Sequence, residues 1–132
     1  NWKGCGTAWK LAEDGHDVIL VTPDPMVGKE LQRTAADFPL RRTLAGLGVK
    51  FIVESAITGW SGTSATVQSF LDGREIEIEA DTLVFATANT SENSLATALR
   101  GRGVSFREIG DGAAPRQAAY AIYDGRKAGL EI

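Results

Sequence analysis

The first fifty positions alternate between helical and strand-like patterns of apolar residues. Gly4–Asp14 carries apolar residues at helical spacing, and the glycine that follows predicts the end of a helix. Asp17–Thr22 is a nearly continuous apolar run, which predicts a strand buried on both faces of a parallel sheet. Leu31–Gly48 predicts a helix or a broken helix, with the break at Pro39, and Val49–Val53 predicts the next strand.

The middle of the chain changes to a period of two residues. Ile57–Trp60, Ala65–Leu71 and Glu75–Glu79 alternate apolar and polar positions. Ser61-Gly62 and Asp72-Gly73 separate these runs with residues that favour tight turns. The pattern predicts a small antiparallel meander at about residues 56–80.

The last third returns to longer elements. It predicts a buried strand at Thr82–Ala86, a helix at Ser91–Arg100 with Ser91 as N-cap, a last strand at Val104–Ile109 and a last helix at Pro115–Leu130. This order of elements predicts an α/β fold with a three-layer, Rossmann-like sheet and a small antiparallel β-meander insert. The first strand of such a sheet is missing from the sequence.

The missing strand has a structural consequence. In a doubly wound sheet it would lie between Asp17–Val21 and Thr82–Ala86. An empty slot would leave buried backbone groups unpaired, at about 1–3 kcal/mol each. We expect Val104–Ile109 to fill the slot. The rival expectation is self-association, with two copies of the chain pairing through open sheet edges.

Composition narrows the classes of function. The 132 residues include 14 basic and 17 acidic side chains, and a net charge of −3 gives no footprint for nucleic acid or an anionic membrane. No apolar run has the roughly 18 residues of a membrane helix, and no signal peptide is evident, so a cytoplasmic location is expected. With Cys5 as its one cysteine and with one histidine, the chain offers no disulfide, cysteine-based metal site or catalytic triad. Because it starts at Asn1 without Met, we expect a piece of a longer protein.

Three segments where strands meet helices are candidate ligand contacts. Gly4 and Gly6 allow a phosphate to approach the N-terminus of the first helix, although glycines for close helix packing explain them equally well. Gly110 and Asp111 end the last strand, where the carboxylate either accepts hydrogen bonds from sugar hydroxyls or caps the last helix. Phe85–Asn89 either runs beside a dinucleotide or is a plain exit from its strand.

In their order and spacing, several segments resemble one family of proteins. They are Leu11–Pro23, Leu44–Val49, Asp81–Ala86, Ile109–Pro115 and Ala121–Arg126. Together they resemble the C-terminal nucleotide-binding region of trimethylamine, dimethylamine and histamine dehydrogenases and of 2,4-dienoyl-CoA reductase. These are flavin oxidoreductases with an old yellow enzyme-like barrel, and the resemblance covers nearly the whole chain.

The resemblance implies a domain arrangement and a set of cofactors. Residues 1–103 would form an NAD(P)-binding-like Rossmann module, and residues 104–132 the closing strand and helix of an FAD- or ADP-binding-like module. FMN and a 4Fe–4S cluster belong to a barrel that this sequence lacks, so the fragment is not expected to be catalytic alone. The rest of the parent flavoprotein is its expected partner, and ADP or FAD is the expected ligand there.

The same resemblance points to eight candidate cofactor-binding residues and to no catalytic or metal-binding residue. They are Gly4, Gly6, Thr22, Ala86, Thr87, Gly110, Asp111 and Ala114.

Three residues depart from the dinucleotide-binding pattern. Trp9 replaces the third glycine of the fingerprint, Thr22 the acid that would hold a ribose 2′-hydroxyl, and Ala88 a later glycine. By resemblance, these departures favour the amine dehydrogenase branch, whose NAD(P)-like module is not expected to use a nicotinamide. The hypotheses are therefore an ADP- or FAD-contacting part of an amine-dehydrogenase-like flavoprotein and a vestigial scaffolding module. The NAD(P)H-binding module of a dienoyl-CoA-reductase-like enzyme is less favoured.

Overall fold

The first helix ends at the glycine that the sequence singles out. In the computed structural model, which describes residues 2–131, α1 spans Trp2–Glu13. Gly15 follows with φ +89°, a left-handed conformation that costs glycine no steric penalty. The N–H groups of Gly15 and His16 donate to the carbonyls of Ala12 and Leu11, both at 3.1 Å. These bonds satisfy carbonyls that the last helical turn leaves free, and the predicted helix is confirmed.

The second helical segment is broken, but before the predicted position. A 3₁₀ helix spans Lys29–Thr34 and α2 spans Asp37–Gly46. Ala35, with φ +55°, ends the first of them. The prediction of a break at Pro39 is wrong, because that proline is the third residue of α2. The backbone N–H at this position has no partner within a helix, so a proline there interrupts no hydrogen bond.

Two of the predicted strands pair in parallel. β1 (Ile19–Val21) and β2 (Lys50–Ile52) are in register with Leu20 opposite Phe51. Parallel strands require a long crossover connection, and residues 22–49, which include α2, supply it. All three residues of β1 are half-buried, so its predicted burial on both faces is wrong. Within the described residues, β1 has β2 as its one strand neighbour.

The chain divides into two compact units, Asn1–Thr87 and Ala88–Ile132. The first unit has a hydrophobic core between α1, α2, β2 and the loop after β1. Its buried members are Cys5, Ala8, Val27, Leu40, Leu44 and Val49. The half-buried side chains packed around them are Trp9, Ala12, Val18, Leu20, Leu31 and Phe51. This core holds α1 and α2 beside the parallel strands.

The predicted meander is confirmed as a three-stranded antiparallel sheet in the order β3-β4-β5. The strands are β3 (Ser55–Trp60), β4 (Ser64–Ser69) and β5 (Glu75–Glu79). The register shifts between Ile57 and Gly59, which marks a β-bulge. A Cβ at Gly59 would lie 3.0 Å from the Thr66 Oγ1, so glycine permits the close approach of β3 and β4.

The second unit contains α3 (Ser94–Gly101) and α4 (Ala118–Leu130). The prediction that Ser91 caps the first of these helices is wrong: α3 follows Asn93, whose side chain makes no capping hydrogen bond. α4 begins three residues later than predicted, so Pro115 precedes the helix. None of the helices in residues 2–131 is at once long and apolar enough to cross a membrane.

Two predicted strands do not form within residues 2–131. Thr82–Ala86 and Val104–Ile109 lie outside every helix and strand. Val84 is 51% exposed and Phe85 75% exposed, so the first segment is not a buried strand either. A strand is stabilised by hydrogen bonds to a neighbouring strand, and none of the described strands pairs with these segments. The expectation that Val104–Ile109 fills a slot beside β1 is therefore wrong, whereas pairing between two copies stays a prediction.

The architecture is accordingly mixed α/β, with a parallel two-stranded sheet and an antiparallel three-stranded sheet.

Candidate functional site

A tight turn before α4 contains two of the predicted contact residues, Gly110 and Asp111. Gly110–Gly112 forms one turn of 3₁₀ helix, and Gly110 is buried with φ +60°. A Cβ at Gly110 would lie 3.3 Å from the Cβ of Ala121 on α4. The Gly110 N–H donates to Oδ2 of Asp124, also on α4, at 3.3 Å. The turn thus packs directly on α4, and its first residue requires a conformation that glycine adopts most readily.

The segment between the turn and α4 is held by Arg116. Its Nη2 donates to Oδ2 of Asp124 at 2.7 Å, and its Nε donates to the Ala114 carbonyl at 3.3 Å. The guanidinium carbon also lies 5.1 Å from the centre of the Tyr120 ring, within the range of a cation–π contact. Arg116 therefore joins the loop after the turn to the first half of α4.

Asp111 differs from its neighbours because its carboxylate is exposed. Gly110 on one side is buried, and Ala114 donates its N–H to the Gly110 carbonyl at 3.0 Å. Within residues 2–131, the Asp111 side chain takes part in no hydrogen bond or ion pair. It does not cap α4, which starts after Gln117 and has no side-chain cap. An ionised carboxylate in this position can accept hydrogen bonds from hydroxyl groups of a ligand.

The first unit holds the other predicted contacts. Gly4 and Gly6 are the third and fifth residues of α1, rather than part of a loop before it. A Cβ at Gly6 would meet no described atom within 4 Å, so packing does not require a glycine there. A shallow depression open to solvent runs along this face of the helix. Its lining residues are Trp2, Lys3, Gly6, Thr7, Lys10 and Leu11.

Thr22 lies at the carboxyl end of β1, where an acid would hold a ribose in a dinucleotide site. Its N–H donates to the Ile52 carbonyl at 2.9 Å. Its Oγ1 accepts the N–H of Asp24 at 3.3 Å, and the Asp24 carboxylate pairs with Lys29 at 3.1 Å. The hydroxyl and the nearest carboxylate at this strand end are therefore engaged within the loop.

Ala86 and Thr87 are exposed and lie in the extended segment that ends the first unit. Of the eight candidates, the structure places Gly110, Asp111 and Ala114 together in the second unit. The other five lie in the first unit, on α1, at the end of β1 and in this last segment. Sequence patterns missed Asp124 and Arg116, since a carboxylate and a guanidinium within a predicted helix at Pro115–Leu130 are typical of a solvated face.

Comparisons with known proteins find similar solved structures, all of them regions of oxidoreductases, but no matching family model or curated sequence. Among solved structures, histamine dehydrogenase from Rhizobium sp. 4-9 is similar over 99% of the chain, with a TM-score of 0.89 and 27% identity. The 6-hydroxypseudooxynicotine amine oxidase of Pseudomonas geniculata N1 is similar over 95%, with a TM-score of 0.83 and 33% identity.

A 2-naphthoyl-CoA reductase in complex with 2-naphthoyl-CoA is similar over 97% of the chain, with a TM-score of 0.75 and 26% identity. The chain spans 21%, 19% and 19% of the lengths of these three proteins, in the order given. The similarity thus concerns a region of about a fifth of each protein.

Proposed function

The chain belongs to the trimethylamine dehydrogenase and 2,4-dienoyl-CoA reductase family of flavin oxidoreductases, and we propose that it is a nucleotide-binding region of such an enzyme. The nucleotide is ADP or FAD. Its binding residues are Gly110 and Asp111, with Ala114 closing the turn between them and α4. The oxidation of substrate takes place elsewhere in the longer protein.

The observation that carries this proposal is the exposed Asp111 carboxylate on a turn whose first residue is buried. A ribose or ribityl chain presents vicinal hydroxyls, and a carboxylate accepts hydrogen bonds from such groups. Gly112 follows Asp111 and adds no side chain, and its Cβ position is open, so a sugar can approach the backbone there closely. Because Asp111 has no partner among the described residues, accepting these hydrogen bonds breaks no existing contact.

The amine dehydrogenase branch fits better than the reductase branch. Two of the three solved structures are named for reactions of amines, and these two have the higher TM-scores. Thr22 offers a single hydroxyl oxygen, which already accepts the Asp24 N–H, where a nicotinamide dinucleotide site has a carboxylate with two acceptor oxygens. Both observations support an NAD(P)-like module that does not use a nicotinamide.

Other cofactors of the family would be held outside this chain. A 4Fe–4S cluster needs four cysteine ligands, and the chain has one cysteine. Among residues 2–131, no group of histidine, cysteine and acidic side chains is arranged to hold a metal ion. A bound flavin would supply electron transfer, while the residues of this chain would bind and orient its nucleotide part.

A test compares Asp111→Asn with Asp17→Asn, a control change at another exposed aspartate, in the full-length protein. After purification, the nucleotides are released by denaturation and separated by liquid chromatography. We expect Asp111→Asn to lose most of its ADP or FAD and to keep its FMN, while Asp17→Asn keeps both. Equal ADP or FAD content in the unmodified protein, Asp111→Asn and Asp17→Asn would contradict the role of Asp111.

A vestigial scaffolding module is the second candidate, favoured by the apolar side chains that the second unit exposes. Leu95, Ile122 and Leu130 are at least 70% exposed. Their apolar surface would be removed from water if they packed against another part of a protein. The same chromatography separates the candidates, because a scaffolding module would carry no ADP or FAD even in the unmodified protein.

A further inference from the structure

One carboxylate oxygen connects the turn that carries Asp111 to α4. Oδ2 of Asp124 accepts the Gly110 N–H at 3.3 Å and Nη2 of Arg116 at 2.7 Å. These donors lie 14 and 8 residues away from Asp124 along the chain. A single side chain therefore holds both the start of the turn and the loop that leaves it.

The position of Gly110 depends on this contact. Gly110 is buried, and a buried N–H without an acceptor is unfavourable because water cannot replace the lost bond. The other main constraint on Gly110 is steric, since Ala121 of α4 leaves little space beside its Cα. Packing against Ala121 thus limits the space around Gly110, and the hydrogen bond to Asp124 sets the direction of the Gly110 N–H.

Arg116 keeps the Asp124 carboxylate in place. The Asp124 side chain is 22% exposed and that of Arg116 40% exposed, so the ion pair is partly shielded from water. Arg116 is itself held by its contacts with the Ala114 carbonyl and the Tyr120 ring. A charge-assisted hydrogen bond of this kind has a defined geometry, which a solvated side chain lacks.

We propose that Asp124 is a positioning residue: through the Gly110 N–H, and supported by Arg116, it fixes the turn so that the Asp111 carboxylate meets the sugar hydroxyls of a bound nucleotide. The proposal rests on the nucleotide-binding role of Asp111. It assigns no contact between Asp124 and the ligand, because its Oδ2 is engaged by Gly110 and Arg116.

The first arm of the test needs no ligand. Amide hydrogen exchange is measured in the full-length protein for Asp124→Leu, which removes the acceptor, and for Asp124→Asn, which keeps an acceptor oxygen. We expect exchange of the Gly110 amide to accelerate at least tenfold in Asp124→Leu and less in Asp124→Asn. Amides of α3 should be unchanged in both, which shows that the unit remains folded. Unaltered exchange at Gly110 would overturn the proposal.

The second arm measures ADP affinity by calorimetry, after removal of bound nucleotide, in a cycle that combines Asp124→Leu with Asp111→Asn. We expect Asp124→Leu to weaken ADP binding about fivefold or more, and to have little further effect once Asp111 is changed, because both act through one contact. A merely structural role would weaken both backgrounds equally and would overturn the proposal. If ADP binds the unmodified protein but Asp124→Leu has no effect, positioning fails while nucleotide binding stands.

If the unmodified protein binds no ADP, nucleotide binding and the positioning of a nucleotide contact fail together. The Gly110 exchange rates then still show whether Asp124 holds the turn. Asp17→Asn is the control for the exchange arm, because Asp17 lies in the first unit and takes no part in the proposed site, and the Gly110 amide of this variant should exchange at the unmodified rate.

Discussion

At the scale of single residues, Gly110 shows how backbone geometry holds the turn that carries the proposed ligand contact, Asp111. Its φ of +60° lies in the left-handed region, and its Cα faces Ala121 closely. The sequence indicates Asp111 as a contact because a Gly-Asp-Gly segment leads into a helix. It could not indicate Asp124, since the hydrogen bond from Gly110 spans 14 residues and depends on how the turn folds back on α4.

Replacing Gly110 by alanine should destabilise the second unit. A left-handed conformation costs a residue with a Cβ about 1–2 kcal/mol, and the new methyl group would crowd Ala121. Gly112→Ala is the matched control, because a Cβ there meets no described atom within 4 Å. Hydrogen exchange of the α4 amides in the two variants measures the difference. Equal protection in Gly110→Ala and Gly112→Ala would contradict a left-handed Gly110 packed against Ala121.

Cys5 provides a test of the core of the first unit. Burial raises the pKa of its thiol above the ordinary value of 9.0, because the thiolate is poorly solvated there. The folded state therefore holds the proton more tightly than the unfolded state. The protonated Cys5 thiol therefore contributes to the free energy of unfolding. This contribution is fully present below pH 9.0 and is lost as the pH rises through the higher pKa of the folded state.

The expected result is a free energy of unfolding that falls more steeply above pH 9.0 in the unmodified chain than in Cys5→Ala. The extra slope from one group is at most about 1.4 kcal/mol per pH unit. Urea denaturation followed by tryptophan fluorescence reports on this unit, because all three tryptophans lie in it. Parallel pH profiles for the two proteins would mean that Cys5 is accessible to solvent.

At the scale of elements, the first helix and the meander formed where local sequence patterns predict them. Two predicted strands did not form, because a strand also needs a neighbouring strand to pair with. Gly15 ends α1 where the sequence indicates, and short turns at Ser61-Gly62 and Asp72-Gly73 separate the strands of the meander. In contrast, Thr82–Ala86 and Val104–Ile109 have strand composition but no strand neighbour among the described residues. A strand's composition sets its preference, whereas its hydrogen bonds come from residues that are distant in sequence.

Replacing Val67 and Val84 by alanine, one at a time, compares a residue of a paired strand with a residue of an unpaired segment. Val67 on β4 is 1% exposed, whereas Val84 in the unpaired segment is 51% exposed. We expect Val67→Ala to lower the free energy of unfolding by about 2 kcal/mol and Val84→Ala to change it by less than about 0.5 kcal/mol. Urea denaturation of the chain gives both values. A large effect of Val84→Ala would indicate that this segment is a buried strand after all.

At the scale of the whole molecule, the chain is similar to about a fifth of much longer enzymes, and its surface is consistent with a role inside such an assembly. The exposed side chains Val84 and Phe85 in the first unit, and Leu95, Ile122 and Leu130 in the second, are large and apolar. Exposed apolar side chains become buried when they contact other protein, and we propose that these residues contact the rest of the parent protein.

Nicotinamide dinucleotides should bind the protein weakly or not at all. Thr22 stands where an acid would hold the ribose, and its hydroxyl is engaged by the Asp24 N–H. The loss of one positioned hydrogen bond costs about 1 kcal/mol, and Trp9 removes the close approach that a third glycine would allow. Calorimetric titration with NADH and NADPH checks this expectation. Micromolar affinity for either would favour the reductase-like alternative.

A crystal structure of the full-length protein with ADP or FAD would show whether Asp111 contacts the sugar of a bound nucleotide. We expect an Asp111 carboxylate oxygen within about 2.5–3.0 Å of a ribose or ribityl hydroxyl. A nucleotide bound at the end of β1 beside Thr22, with Asp111 facing only solvent, would contradict it.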